Sequence, residues 1–318
     1  MRGWQVTGEG QPTEVMRLLA GLPQPEPADG QVLVKVRAAA VNFPDALMCL
    51  GQYQLKPPLP FVPGVELCGE LPDGSRVIGT PAAPSGAFAE YALLDARALF
   101  PAPAALDDAE AAALHIGYQT AWFALHRRAA LRAGETLLVH AAVGGVGSAA
   151  VQLGRAAGAR VVAVVGGAEK AKLAQESGAD LVVDRTREDF VAAVREFTGG
   201  RGADVVFDPV GGSAYTGSTK CIAFEGRIVV VGFASGTIPN PPLGHALVKN
   251  YTLLGLHWGL YAAKDPAAVR DCHRELTALA DSGVIRPLVS ERLPLEGAAD
   301  AVQRVLAGRT TGRVVILP

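Results

Sequence analysis

The segment best equipped for chemistry is a glycine-rich turn. Leu137-Leu138-Val139-His140-Ala141 reads as a strand, passes through Ala142-Val143-Gly144-Gly145-Val146-Gly147, and enters a helix-favouring stretch from Ser148 to Arg155. A helix that starts directly after a strand presents unsatisfied N–H groups and a positive dipole end to any anion placed there. Gly144 and Gly145 let the backbone approach a pyrophosphate, Val146 fills the next position, and Gly147 lets the helix pack closely on its strand. The first glycine of the usual dinucleotide fingerprint is Ala142 here. The turn alone is therefore a weak signal, and its place at the first strand of a strand–helix series carries the dinucleotide reading. The competing reading is a strand-to-helix turn without chemical consequence.

The second strand ends Val164-Val165-Gly166-Gly167. A fold that holds the ribose hydroxyls of NAD places an acid at this point, and none is present. Lys170 follows, and Arg185 comes just after the third strand. Two cations there would neutralise a 2′-phosphate, and Gly166 leaves it room, so NADPH is the expected cofactor. The alternatives are that both cations are solvated surface charges, or that Glu169 is a displaced ribose acid.

These residues need elements to hold them. Gln31 to Val36 and Ser75 to Ile78, after the Pro72-Asp73-Gly74 turn, read as strands of a β-rich region. A helix starts near Leu106 with Asp107 as cap, and a second runs from Gln119 to Arg128. Then Leu137 to Ala141, Val161 to Val165, Leu181 to Val183, Val205 to Phe207 and Ile228 to Val231 alternate with helical segments. Such continuous apolar runs suit a doubly wound parallel sheet covered on both faces. The tail offers a helix from Asp265 to Ser282, an extended piece from Arg286 to Val289, a helix from Glu296 to Ala307 and a closing strand from Arg313 to Leu317. That last strand needs a partner in the N-terminal β region, so both chain ends are expected to build one domain around an inserted one.

Composition narrows the partners. With 29 basic and 31 acidic residues the net charge is −2, and no basic run exceeds His126-Arg127-Arg128, so nothing points to nucleic acid. No uninterrupted apolar stretch of about 18 residues predicts a membrane span. Cys49, Cys68, Cys221 and Cys272 are scattered, which predicts free thiols in a reducing compartment and a cytoplasmic protein.

Further strings complete a pattern: Val41-Asn42-Phe43-Pro44-Asp45, Gly51-Gln52-Tyr53, Pro58-Leu59-Pro60-Phe61-Val62-Pro63-Gly64-Val65-Glu66, Val231-Gly232-Phe233-Ala234-Ser235-Gly236 and Thr311-Gly312-Arg313-Val314-Val315. In this order, with the glycine turn, the chain resembles the quinone oxidoreductase and zeta-crystallin group of the medium-chain dehydrogenase/reductases over nearly its whole length. The resemblance implies a GroES-like β-rich catalytic domain (1–121 and 260–318), a Rossmann domain (122–259), a nicotinamide in the cleft between them, and a homodimer paired through the Rossmann sheets. It implies that Asn42 and Tyr53 line the substrate pocket, with Tyr53 donating to the substrate oxygen and Asp45 orienting its neighbours. It also implies cofactor contacts from Asn42, Thr120, Gly232, Phe233, Asn250 and Arg313. Five of them have plainer alternatives: Asn42 satisfying local backbone, Asp45 capping a helix, Tyr53 as a rim aromatic, Thr120 and Phe233 as packing.

The chain departs from its zinc-dependent relatives in reading Gly64-Val65-Glu66 where they carry Gly-His-Glu, and in having no cysteine near Asn42 to Asp45. Neither three catalytic nor four structural zinc ligands can be assembled, and Cys272-His273 has no companions. The segment from Gly69 to Ser75 is also shorter than in relatives. Without a metal to stabilise an alkoxide, the expected reaction is hydride transfer to a quinone or other conjugated carbonyl acceptor, whose developing charge is delocalised. The alternatives are an NADPH-dependent enoyl- or acryloyl-CoA-type double-bond reductase and a non-catalytic NADPH-binding protein. His115, His140, His245 and His257 show no partner spacing and are expected to be structural.

Overall fold

The first apolar runs pair as an antiparallel ribbon, β1 (Gly3–Val6) with β2 (Met16–Leu19). They are followed by β3 (Gln31–Ala40), β4 (Leu67–Glu70), β5 (Arg76–Gly79), β6 (Tyr91–Asp95) and β7 (Leu99–Pro101). The middle of the chain supplies β8 (Thr136–His140), β9 (Arg160–Val165), β10 (Leu181–Asp184), β11 (Ala203–Asp208), β12 (Ile222–Val230) and β13 (Thr252–Gly255). The tail adds β14 (Val289–Pro294) and β15 (Arg313–Leu317). The computed structural model describes all 318 residues, and they form two units, Met1–Ile116 with His273–Pro318, and Gly117–Cys272. Both chain ends thus build one unit. The expected boundaries at 121/122 and 259/260 differ from these because Trp258 Nε1 donates to Gln119 Oε1 at 3.0 Å and Phe123 stacks on Tyr261 with ring centroids 4.1 Å apart, contacts internal to the second unit.

In the first unit a seven-stranded sheet runs β14-β15-β3-β4-β5-β7, with β6 also paired to β3. β3 is long enough to serve three partners: its first half pairs with β6, its middle with β4, and Ala39 and Ala40 with Ile316 and Val315 of β15. The abbreviated segment becomes a tight hairpin between β4 and β5, closed by Gly74 N–H to the Leu71 carbonyl at 2.9 Å with Gly74 at φ 86°. Asp107 caps its helix as expected, accepting from Glu110 N–H at 2.9 Å while Glu110 accepts from Asp107 N–H at 3.1 Å. The extended piece expected from Arg286 becomes a strand only at Val289, since Pro287 has no N–H for the ladder and its carbonyl takes Val289 N–H.

In the second unit six parallel strands run β10-β9-β8-β11-β12-β13. Every residue of β8 and β11 is buried, whereas β14 alternates half-buried with exposed. Continuous burial is what helices on both faces of a parallel sheet produce. Leu138, Val162, Val164, Val183, Val206 and Ile228 form its core, each worth about 1.5–3 kcal/mol of apolar transfer. The strand order reverses at β8, so the C-terminal ends of β8 and β11 form the crevice where doubly wound sheets bind ligands. The helix expected from Gln119 starts at His115 and changes to a π-helix over Phe123–Arg128, with Ala129 N–H bonded to the Ala124 carbonyl at 2.9 Å.

Candidate active site

At the end of β8 the chain turns on Ala141, at φ 49°, and Gly144 N–H bonds the Ala141 carbonyl at 2.8 Å. A left-handed alanine costs roughly 1–3 kcal/mol, a strain held in place by Ala142 N–H bonding Val164 O of β9 at 3.2 Å. Gly144 caps the helix Gly145–Ala156. A side chain at Gly147 would collide with the Ala141 carbonyl, so only glycine lets the first helical turn lie on the strand end. Gly145, Val146 and Gly147 then offer first-turn N–H groups that no helix carbonyl can reach. This cradle fits a pyrophosphate.

Gly166 and Gly167 follow β9, and Gly167, at φ 99°, caps the helix Ala168–Glu176 that carries half-buried Lys170 in its first turn. Arg185 leaves β10 with its N–H on Val165 O at 2.9 Å. Its guanidinium lies over Gly166: a Cβ built there would stand 3.2 Å from one terminal nitrogen and 3.4 Å from Nε. Glycine at this position lets the cation lie close to the backbone, and the pair fits a 2′-phosphate beside the adenosine ribose.

The loop after β12 is stapled to the loop after β11 by Val231 N–H to Asp208 O at 2.9 Å and Ala234 N–H to Pro209 O at 3.0 Å. Gly232 and partly exposed Phe233 thereby sit on the same strand-end side as the glycine turn. Thr120 is nearly buried on the helix His115–Trp122. Asn250 does not join them. It stands before β13, at the strand-start side of the sheet, as the left-handed cap (φ 54°) of the helix Leu243–Lys249, with its carbonyl accepting Glu225 N–H at 3.0 Å. The expected cofactor contact from Asn250 is corrected to a capping role.

The first unit gathers Asn42, Asp45, Glu66 and Arg313 in one buried cluster. Asn42 Nδ2 donates to Ala40 O at 3.0 Å and Glu66 Oε2 at 2.9 Å, while its Oδ1 accepts from Arg313 at 3.0 Å. Both amide hydrogens are spent, so Asn42 has no side-chain donor left over. Arg313 is ion-paired to Glu66, which also accepts Ile116 N–H at 2.6 Å. Two of the three Arg313 nitrogens are occupied, and only Nε lacks a partner. Burial pushes the Glu66 carboxyl above its ordinary range, opposed first by the charge of Arg313. Glu66 escaped the sequence reading as a functional position; its place directly after Gly64-Val65 was the available signal.

Asp45 is wholly buried, accepting Asn42 N–H at 2.8 Å and the N–H groups of Gly64 and Val65 at 3.1 Å each. Desolvation raises it to about 7, against the pull of those three N–H donors and Arg313. Asp45 has no exposed atom, and its bonds are those of an orienting group: it latches the start of the helix Phe43–Cys49 to the Gly64 turn. Tyr53 packs half-buried against the same core, its hydroxyl without a protein partner, its pKa raised by burial and then by the Asp45 charge.

The histidines are tied into structure. Ser218 hydroxyl donates to Ala214 O at 2.8 Å, so His140 Nε2 carries the proton it gives Ser218 at 2.7 Å. Asp208, His140 and Ser218 are residue types of a nucleophilic triad, but Ser218 is fully buried within a helix and open to no substrate. Burial lowers His140 to about 4 and His115 to about 3. His273 bonds Pro101 O at 3.0 Å. No three side chains of His, Cys, Asp or Glu converge as a metal-holding group.

A glycine cradle at the reversal point of a parallel sheet, in a chain whose two ends build a separate β-rich unit, defines the two-domain nicotinamide-dependent oxidoreductases. Residues 28–104 match the alcohol dehydrogenase GroES-like domain, and residues 145–274 the zinc-binding dehydrogenase family. A quinone oxidoreductase-like protein 2 homolog of Nematostella vectensis is 40% identical over 299 residues, 90% of this chain and 81% of that one. The quinone oxidoreductase of Thermus thermophilus, solved alone and with NADPH, superposes with a TM-score of 0.88 at 34% identity, covering 100% of both chains. Escherichia coli quinone oxidoreductase complexed with NADPH gives 0.91 at 29% identity, again over 100% of both. The chain belongs to the medium-chain dehydrogenase/reductase family, in its quinone oxidoreductase-like group.

Proposed function

We propose that this protein is an NADPH-dependent reductase of quinones or other conjugated carbonyl acceptors that works without zinc. The observation that carries the cofactor choice is the Arg185 guanidinium lying over Gly166, one strand from the glycine cradle. When bound, NADPH supplies a hydride; with one proton it converts a quinone to a hydroquinone. The chain's own part is to seat the pyrophosphate on the N–H groups of Gly145 to Gly147, hold the 2′-phosphate at Arg185 with Lys170, and border the site with Gly232, Phe233 and Thr120. Tyr53 hydroxyl, free of protein partners, donates to the acceptor oxygen as negative charge develops. The zinc-free reading rests on Gly64-Val65-Glu66 and on the lack of a cysteine from Asn42 to Asp45, and it suits a delocalised acceptor better than a simple alcohol.

A homodimer is part of this reading. β13 ends the sheet with one edge unpaired, and Leu243, Leu247 and Val248 on the preceding helix are 75%, 79% and 78% exposed. Such an edge beside an apolar face is what a paired sheet covers. No helix is long and apolar enough to cross a membrane, and four buried free cysteines support a cytoplasmic placement.

The test is loss of NADPH absorbance with a panel of quinones, enones and enoyl-CoA esters, alongside metal analysis. Turnover of quinones by metal-free protein is expected. Tight NADPH binding with no acceptor reduced would make it a binding protein, and turnover that requires stoichiometric zinc would overturn the mechanism.

A further inference from the structure

The acid that directly precedes Arg185 belongs to no dinucleotide fingerprint. Asp184 closes β10, and its Oδ1 accepts three hydrogen bonds: Gly167 N–H at 2.8 Å, Thr186 N–H at 3.0 Å and Thr186 hydroxyl at 2.7 Å. Gly167 belongs to the turn that ends β9, and Thr186 follows Arg185 directly, so the carboxylate ties together the two backbones that flank the pocket. Arg185 is held between them, its own N–H on Val165 O at 2.9 Å and its guanidinium over Gly166. Those donors, Gly167 first, also keep the Asp184 carboxyl below its ordinary range, so it stays ionised where they need an acceptor.

Resting on the NADPH reading above, we propose that Asp184 is a positioning residue that makes the site selective for 2′-phosphorylated adenine nucleotides by fixing Arg185 over Gly166. An acid that accepts ribose hydroxyls directly at the end of the second strand selects for NAD. Asp184 stands one strand further out, with Oδ1 saturated by main-chain and threonine donors, and so acts through the arginine instead. Its charge and its geometry pull in opposite directions: a carboxylate repels a nearby phosphate, while the turn it holds brings the cation to that phosphate. Asn keeps an acceptor and removes the charge, whereas Ala removes both.

The experiment is calorimetric titration of wild type, Asp184→Asn and Asp184→Ala with adenosine 2′,5′-bisphosphate and with 5′-AMP, which differ in the 2′-phosphate. Asp184→Ala should bind the bisphosphate about tenfold more weakly, the scale of one charge-assisted hydrogen bond to phosphate, with 5′-AMP affinity unchanged. Asp184→Asn should bind the bisphosphate as tightly as wild type or more so. Thr186→Val, which deletes one donor on a protein with the acid intact, should give a smaller loss confined to the bisphosphate, and serves if Asp184→Ala does not fold. Equal weakening of both nucleotides, or no change in either, would overturn the proposal. Loss of 5′-AMP binding in Asp184→Asn would make the acid a ribose ligand and refute it too. If wild type itself shows no preference for the bisphosphate, the NADPH reading fails, and the Asp184 proposal with it.

Discussion

Gly166→Ala probes the cofactor pocket with a single methyl group. Gly166 is not in the left-handed region, so its backbone accepts alanine without torsional strain. The new Cβ would stand 3.2 Å, 3.4 Å and 3.5 Å from three atoms of the Arg185 guanidinium. The 3.2 Å contact is tighter than a Cβ normally keeps, so the flexible, exposed guanidinium gives way by a few tenths of an ångström rather than the backbone. Fold stability should therefore change by no more than about 0.5 kcal/mol, as for surface substitutions. Displacing the cation should remove one charge-assisted hydrogen bond to phosphate, about 1.5 kcal/mol, which is roughly tenfold in Kd. Titration should show NADPH weakened about tenfold and NADH within about twofold. Arg185→Ala should do the same, and the double variant should be no worse than either single one, because the methyl acts only through the guanidinium. Equal losses for NADPH and NADH, or additive losses in the double variant, would refute the assignment.

Other outcomes follow from the same geometry. Tyr53→Phe should lower kcat/KM for the acceptor by about tenfold to a hundredfold, the scale of one aimed donor, with NADPH affinity unchanged; unaltered kinetics would remove Tyr53 from the reaction. Arg313→Met leaves Glu66 buried without its counter-charge and should cost about 3–5 kcal/mol in urea unfolding; a loss under about 1 kcal/mol would show the ion pair to be dispensable. His140, held near 4 when folded against about 6.5 unfolded, contributes stability present above pH 6.5 and lost as pH falls toward 4. Between pH 6.5 and 5.5 wild type should lose about 1 kcal/mol more than His140→Gln, and parallel pH profiles would contradict the buried neutral imidazole. Val248→Asp should yield monomers by light scattering, and an unaltered mass would place the dimer contact elsewhere.

What could be read in the chain beforehand divides by the range of the interactions involved. Strand β15 falls on Arg313–Leu317 as expected, and the Asp107 cap is where its spacing with Glu110 put it. Local patterns of apolar runs and capping residues define such elements without help from the rest of the chain. β13 was not anticipated, because only Leu253 and Leu254 signal it, and its strand character comes from pairing with β12. The glycine turn was legible, yet its turning residue is Ala141, whose left-handed backbone no propensity favours. The roles of Asp45 and Asn42 turned on burial. The resemblance placed Asn42 at the pocket and Asp45 as an orienting group, and only partners distant in sequence, such as Gly64 and Arg313, decide which of their polar atoms are consumed. Asn250 was misplaced because its role depends on which end of the sheet it occupies, a matter of topology rather than of type.

β15 lies between β14 and β3 in the first unit's sheet, and its Arg313 neutralises Glu66 in the interior. During synthesis the parallel sheet has all its strands once residue 255 has emerged. The β-rich unit must instead hold an unpaired carboxylate and an open seam until the final strand arrives. Assembly on the ribosome is therefore ordered, with the inserted body free to close first and its host sealed last. Clipping the chain just before Arg313 should leave a nucleotide-binding module attached to a partner that never completes its interior.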